Sequence, residues 1–112
     1  MEVTWEELNK AAMQIILNAG DARSLIMKSA DIICSDGEIQ DAETCLDEAK
    51  ILLENAHKVQ TEYIQNTVQD KNQKNCLLFA HAQDTLMVIH SERLMMQNMI
   101  KFYSKLKGMI QQ

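Results

Sequence analysis

The chain has no proline, only three glycines among 112 residues, and an aromatic content of 4%. No stretch therefore has the composition of a linker, and residues 1–112 are expected to form a single domain. An excess of basic residues is also missing: 11 lysines and arginines face 16 aspartates and glutamates, for a formal charge of -5. Nucleic-acid backbones and anionic membrane surfaces attract the opposite sign, so neither is expected as the main partner. Cys34, Cys45 and Cys76 are odd in number and form no CxxC pair. That pattern argues against a disulfide framework or a zinc site and for a reducing, cytoplasmic setting. No apolar run approaches the roughly 20 residues that cross a bilayer. The segment Met1-Glu2-Val3-Thr4-Trp5-Glu6-Glu7 has no basic stretch leading into an apolar one, so neither membrane insertion nor a signal peptide is expected.

What is present is aliphatic and spaced for helices. Hydrophobic residues make up 46% of the chain, eight of them methionine. They recur in steps of three and four without a long alternating run, which favours helix over sheet. Thr4-Trp5-Glu6-Glu7 fits a capping box, with Val3 and Leu8 placed to close a hydrophobic staple over it, so a helix is expected from about Trp5. Leu8, Ala12, Ile15, Ala19, Ala22, Ile26 and Ile33 then line one face, interrupted by Ser29. Gly20 falls inside this run, where it costs roughly 1 kcal/mol relative to alanine and leaves room for a close neighbour.

Ser35-Asp36-Gly37-Glu38 is the first break. Either Gly37 ends the first helix with positive φ, or Ser35 and Glu38 form a second capping box. A second face follows in Ile39, Ala42, Leu46, Ala49, Leu53, Ala56, Gln60 and Tyr63, widened by Cys45, Leu52, Val59 and Ile64. The polar, amide-rich stretch 69–75 marks the second connection. The third helix is expected from about Cys76 to near Met109, with Leu78, Ala82, Leu86, Ile89, Met96, Tyr103, Leu106 and Ile110 inward. The fold expected is all-α, an antiparallel three-helix bundle. Helices one and three carry a further apolar strip, clearest in Leu77, Val88, Met95 and Met99. A monomeric bundle needs one covered face per helix, so the strip points either to self-association or to a broad monomer core with exposed methionines.

Polar residues set into this pattern are the candidate site. His81 and Asp84 are i,i+3 neighbours on the face continued by Val88 and Met95. A polar pair in an apolar seam is either exposed at a groove or completed by a ligand, ion or neighbouring subunit. A surface histidine beside a carboxylate is the bland alternative. Asp21, Arg23 and Ser24 interrupt the first helix, and His57, Gln60 and Thr61 stack late in the second. Arg23 could neutralise an anion and Gln60 could donate to one, although mid-helix polar residues commonly just face solvent. His57 reads as a packing histidine, and His90, beside Ser91, Glu92 and Arg93, reads as surface. No HxxxH, GxxxxGK[ST] or GxSxG pattern occurs, which removes the usual parts of a zinc enzyme, a nucleotide triphosphatase and a serine hydrolase. A histidine nucleophile remains: a neutral imidazole offers a ring nitrogen able to attack phosphorus.

Taken together, Gly20-Asp21-Ala22-Arg23-Ser24, Ala56-His57-Lys58-Val59-Gln60-Thr61 and His81-Ala82-Gln83-Asp84 with Leu86-Met87 resemble the lactose/cellobiose-type IIA component of the bacterial sugar phosphotransferase system. The motifs occur in the same order and at similar separations over nearly the whole chain. The resemblance implies a nine-helix homotrimer of three-helix protomers in which His81 is the phosphorylated residue. It implies that Asp84 meets its two symmetry mates around one divalent cation, usually magnesium, an ion that suits carboxylate oxygens. It also implies a phosphotransferase relay: the phosphohistidine of the carrier HPr donates to His81, and His81 donates to a cysteine of the cognate IIB component during uptake of a β-linked disaccharide. Gln83 and Gln60 are the candidates for steadying the phosphoryl group, helped by the amino end of helix three if His81 lies near it. Family members commonly carry a second histidine after the motif aspartate, where this chain has Thr85. Ala82, where lactose-type members tend to have glycine, leans toward the cellobiose or chitobiose branch. The rival readings are a non-catalytic helical adaptor using the same surface and a metal-stabilised structural bundle centred on Asp84.

Overall fold

The computed structural model describes residues 3–68 and 77–111. Three helices account for almost all of them: α1 (Trp5–Cys34), α2 (Ile39–Val68) and α3 (Leu77–Ile110). The start of α1 is built as its sequence demands. Thr4 is extended, its Oγ1 accepts from the Glu7 N–H at 3.1 Å, and the Glu7 carboxylate accepts from the Thr4 N–H at 3.3 Å. Two of the four orphan donors of the helix are thereby satisfied, and Val3 and Leu8 on either side are both buried.

The reversal between α1 and α2 uses neither expected mechanism. The left-handed residue is Asp36, at φ 61, and no glycine has positive φ among the described residues. The Gly37 N–H donates to the Ile32 carbonyl at 2.8 Å and the Asp36 N–H to the Ile33 carbonyl at 3.3 Å, which is a Schellman closure with Asp36 at the left-handed position. Aspartate tolerates that conformation better than most residues. Gly37 is needed for space instead. A Cβ there would stand 2.7 Å from Ile32 Cγ2 and 2.9 Å from the Ile32 carbonyl oxygen. The Ser35 hydroxyl does not cap α2, because it donates back to the Asp31 and Ile32 carbonyls. The expected second connection, 69–75, and Cys76 lie outside the described residues.

The core is a seam of small residues keyed by a few large ones. Ala12, Ala19, Ala22, Ala42, Ala49, Ala56 and Ala82 are fully buried, with Leu8, Ile15 and Ile89 the largest apolar side chains sealed from solvent. Alanine at these crossings lets the helices pack at the near end of the 8–10 Å range. Ser29 is fully buried, its hydroxyl donating to the Ile26 carbonyl at 2.7 Å, so the polar interruption in α1 is satisfied within its own helix. Gly20 is exposed and a Cβ on it would meet nothing within 4 Å. The close neighbour expected there is not among the described residues.

α3 runs beside α1 in a register set by Arg23 and Glu92, 69 residues apart. By that register Cys34, the end of α1, is level with Tyr103, and the remaining turns of α3 project past the reversal. Two residues expected to face inward, Leu106 and Ile110, are accordingly 57% and 82% exposed. Conversely, Phe79, Arg93 and Ile100 are buried without having been read as core positions.

Candidate functional site

His81 is the fifth residue of α3, one past the four orphan N–H groups that make a helix start electropositive. The dipole fades within the first turn, so any contribution from it at His81 is weak. His81 and Asp84 are both exposed, and neither the ring nor the carboxylate has a hydrogen-bond partner among the described residues. The imidazole is thus open to an incoming group while its helix is held from the other side by Ala82, Leu86 and Ile89.

From this pair an apolar strip continues down α3. Leu77, Val88, Met95 and Met99 are 83%, 52%, 63% and 59% exposed. The middle of the strip borders a groove of about 540 Å³ between α1 and α3, with Met27, Val88, Met95 and Met99 among its lining residues. Arg23 spans its edge, donating from Nε and Nη2 to the two Glu92 oxygens at 3.0 and 2.8 Å. This bidentate bond raises the Arg23 pKa, mainly through the hydrogen bond to Glu92. The guanidinium considered for a free anion is therefore already engaged by Glu92.

The two glutamines stand elsewhere. His81 and Gln83 are two residues apart on one helix, about 160° around its axis, so they do not share a face. Gln60 is half-buried and lines the groove between α2 and α3 with His57, Leu86 and His90. Its Oε1 is buried without a hydrogen-bond partner among the described residues. Neither His81 nor Gln83 lines that groove. Thr85, in place of the second histidine, turns its hydroxyl onto the His81 carbonyl at 2.9 Å, where it serves the helix backbone.

Arg93 was missed as a structural residue. It is 6% exposed, and its Nε donates to the Leu46 carbonyl at 3.0 Å, pinning α3 to α2. The signal was its place midway between Leu86 and Ile100, seven residues from each, squarely in the core register. The described residues hold no group of three His, Cys, Asp or Glu side chains able to bind a metal. Asp84 is one hard oxygen donor on an open face; its chemistry suits magnesium, but a site would have to be completed from other copies.

Residues 10–104 match the family model described as PTS system, lactose/cellobiose specific IIA subunit. The chain is 34% identical over 106 residues to an N,N'-diacetylchitobiose-specific EIIA component of Escherichia coli K12, covering 92% of this chain and 88% of that protein. It is 36% identical over 101 residues to a lichenan-specific enzyme IIA component of Bacillus subtilis, covering 90% and 91%. The crystal structure of a cellobiose-specific enzyme IIA from Bacillus anthracis superposes with a TM-score of 0.81 at 31% identity, covering 95% of this chain and 94% of that one.

Proposed function

This chain belongs to the lactose/cellobiose-specific IIA family of the sugar phosphotransferase system, and from that premise we propose that it is a cytoplasmic phosphocarrier working through a phosphohistidine at His81. The observation that carries the reading is the exposed imidazole of His81, without a hydrogen-bond partner among the described residues, on a helix packed through Ala82, Leu86 and Ile89. Among the described residues no helix is long and apolar enough to cross a membrane, which fits a component that leaves the membrane step to a separate protein.

The donor is the phosphohistidine of HPr. The lone pair of a His81 ring nitrogen attacks its phosphorus in line; the new N–P bond forms as the donor's N–P bond breaks, and the electron pair stays on the donor imidazole. In the second step a thiolate of the IIB component attacks, a P–S bond forms, and the pair returns to His81. Phosphoryl transfer of this kind asks mainly for positioning and charge stabilisation. An exposed imidazole meets the first need, since two large partners must reach the same atom in turn. Gln60 and Gln83 remain candidates for stabilising the phosphoryl oxygens. Gln83 does not share a helix face with His81, so that role would draw on a neighbouring copy or the docked partner.

We further propose a homotrimer closed along the exposed strip of α3, with the three Asp84 carboxylates sharing a magnesium ion. The ion would supply charge neutralisation, since converging carboxylates otherwise repel. The sugar whose uptake this relay drives is a β-linked disaccharide of the cellobiose, chitobiose or lactose class, as the names of the relatives suggest. The test is incubation with phosphoenolpyruvate, enzyme I and HPr, followed by intact mass. Wild type is expected to gain one acid-labile phosphoryl group and His81→Ala none; a wild-type mass that does not change ends the carrier reading.

A further inference from the structure

On the other flank of α3 lies a second groove, of about 670 Å³, between α2 and α3. Leu53, Leu86 and Met87 supply its apolar lining, and its charge is opposite to that of the molecule. Three cationic side chains, Lys50, Lys58 and Arg93, face one carboxylate, Glu54, on a chain whose formal charge is -5. Arg93 is the centre of the argument. It is 94% buried by residue surface, 6% remaining, and its one hydrogen bond runs from Nε to the Leu46 carbonyl. No carboxylate among the described residues lies within ion-pair distance of it. A guanidinium is a permanent cation with five donors, and the Arg93 Nη atoms are not sealed from solvent. Nε is spoken for, so the Nη pair is the edge left to engage a planar or tetrahedral anion in bidentate fashion.

We propose that this groove binds a phosphate monoester, with the Arg93 Nη atoms and the Lys50 and Lys58 ammonium groups around the phosphate and the ester's carbon body on Leu53, Leu86 and Met87. The surplus of cations over Glu54 suits a dianion better than a single carboxylate. His57 and His90 stand at the same groove and supply further N–H donors. Bound phosphate would pair with a guanidinium that has no carboxylate within ion-pair distance among the described residues. The inference does not depend on the phosphocarrier reading: His81 does not line this groove.

The test is titration calorimetry of the full chain with phenyl phosphate, with no phosphoryl donor present. Saturable binding is expected, tighter than for inorganic phosphate and weaker at high salt. Because a change at the buried Arg93 endangers the fold, surface variants carry the test. Lys50→Gln with Lys58→Gln is expected to weaken binding about tenfold, Glu54→Gln to strengthen it, and His81→Ala to leave it unchanged. Absence of saturation overturns the proposal and means that Arg93 is covered in solution, by Glu54 or by an acid of another chain. Affinity indifferent to the lysine pair, or lost in His81→Ala, also overturns it, since the phosphate would then sit elsewhere.

Discussion

The imidazole at position 81 and the hydroxyl at position 85 show how much one side chain can carry and how little its neighbour need do. Thr85 spends its hydroxyl on the His81 carbonyl, an interaction with the helix and not with the reacting ring. Thr85→Val is therefore expected to keep phosphorylation by phospho-HPr within a few-fold of wild type, read as the rate of mass gain, while His81→Ala abolishes it. Arg23 and Glu92 form the best ion pair among the described residues, yet their side chains are 43% and 39% exposed, so solvent screens most of the gain. A double-mutant cycle with Arg23→Ala and Glu92→Ala should return a coupling of no more than about 1 kcal/mol, shrinking with salt. The pair raises the arginine pKa, so the part of its contribution linked to the guanidinium is present below the free guanidinium range and is lost as pH climbs through the raised value, in strong alkali. Of these residues His81, Asp84 and Arg23 were legible as polar breaks in an apolar pattern. Arg23's engagement with Glu92 was not, because a separation of 69 residues is set by helix register and not by local spacing.

At the scale of the element, the helix starts and faces were readable and the turn chemistry was only half so. Capping boxes are local, and the one at Thr4 formed as read. The reversal after α1 was located correctly but misassigned, since Asp36 and Gly37 are adjacent and either can take the left-handed place. The decision came from Ile32, whose side chain and carbonyl leave no room for a Cβ at position 37. Gly37→Ala should destabilise the chain by about 1–3 kcal/mol through overpacking, whereas Asp36→Gly, which relieves a left-handed aspartate, should be neutral or stabilising within about 1 kcal/mol. Urea denaturation of the two variants measures both. The α3 stripe was right from Ala82 to Met96 and wrong at Leu106 and Ile110, because periodicity marks which side a residue is on and not whether another helix reaches that level.

For the whole molecule, the unresolved quantity of folding is the long apolar strip left uncovered on α3. If copies close over it as proposed, Met95→Lys should lower the mass measured by light scattering toward that of one chain, and the wild-type melting temperature should rise with protein concentration. Asp84→Ala should keep the helical content while removing any dependence of assembly on magnesium; an unchanged magnesium affinity would take Asp84 out of the metal site. The amino-acid order alone determined three helices, most of their inward faces and the family, because helix periodicity, capping and short motifs are properties of neighbours in the chain. Only the tertiary structure decided which positions at the helix ends are covered, that Arg93 is buried against Leu46, and that Gln60 lines the groove between α2 and α3. Those outcomes depend on the register and length of helices lying side by side, and packing across dozens of residues of sequence separation settles what no local pattern encodes.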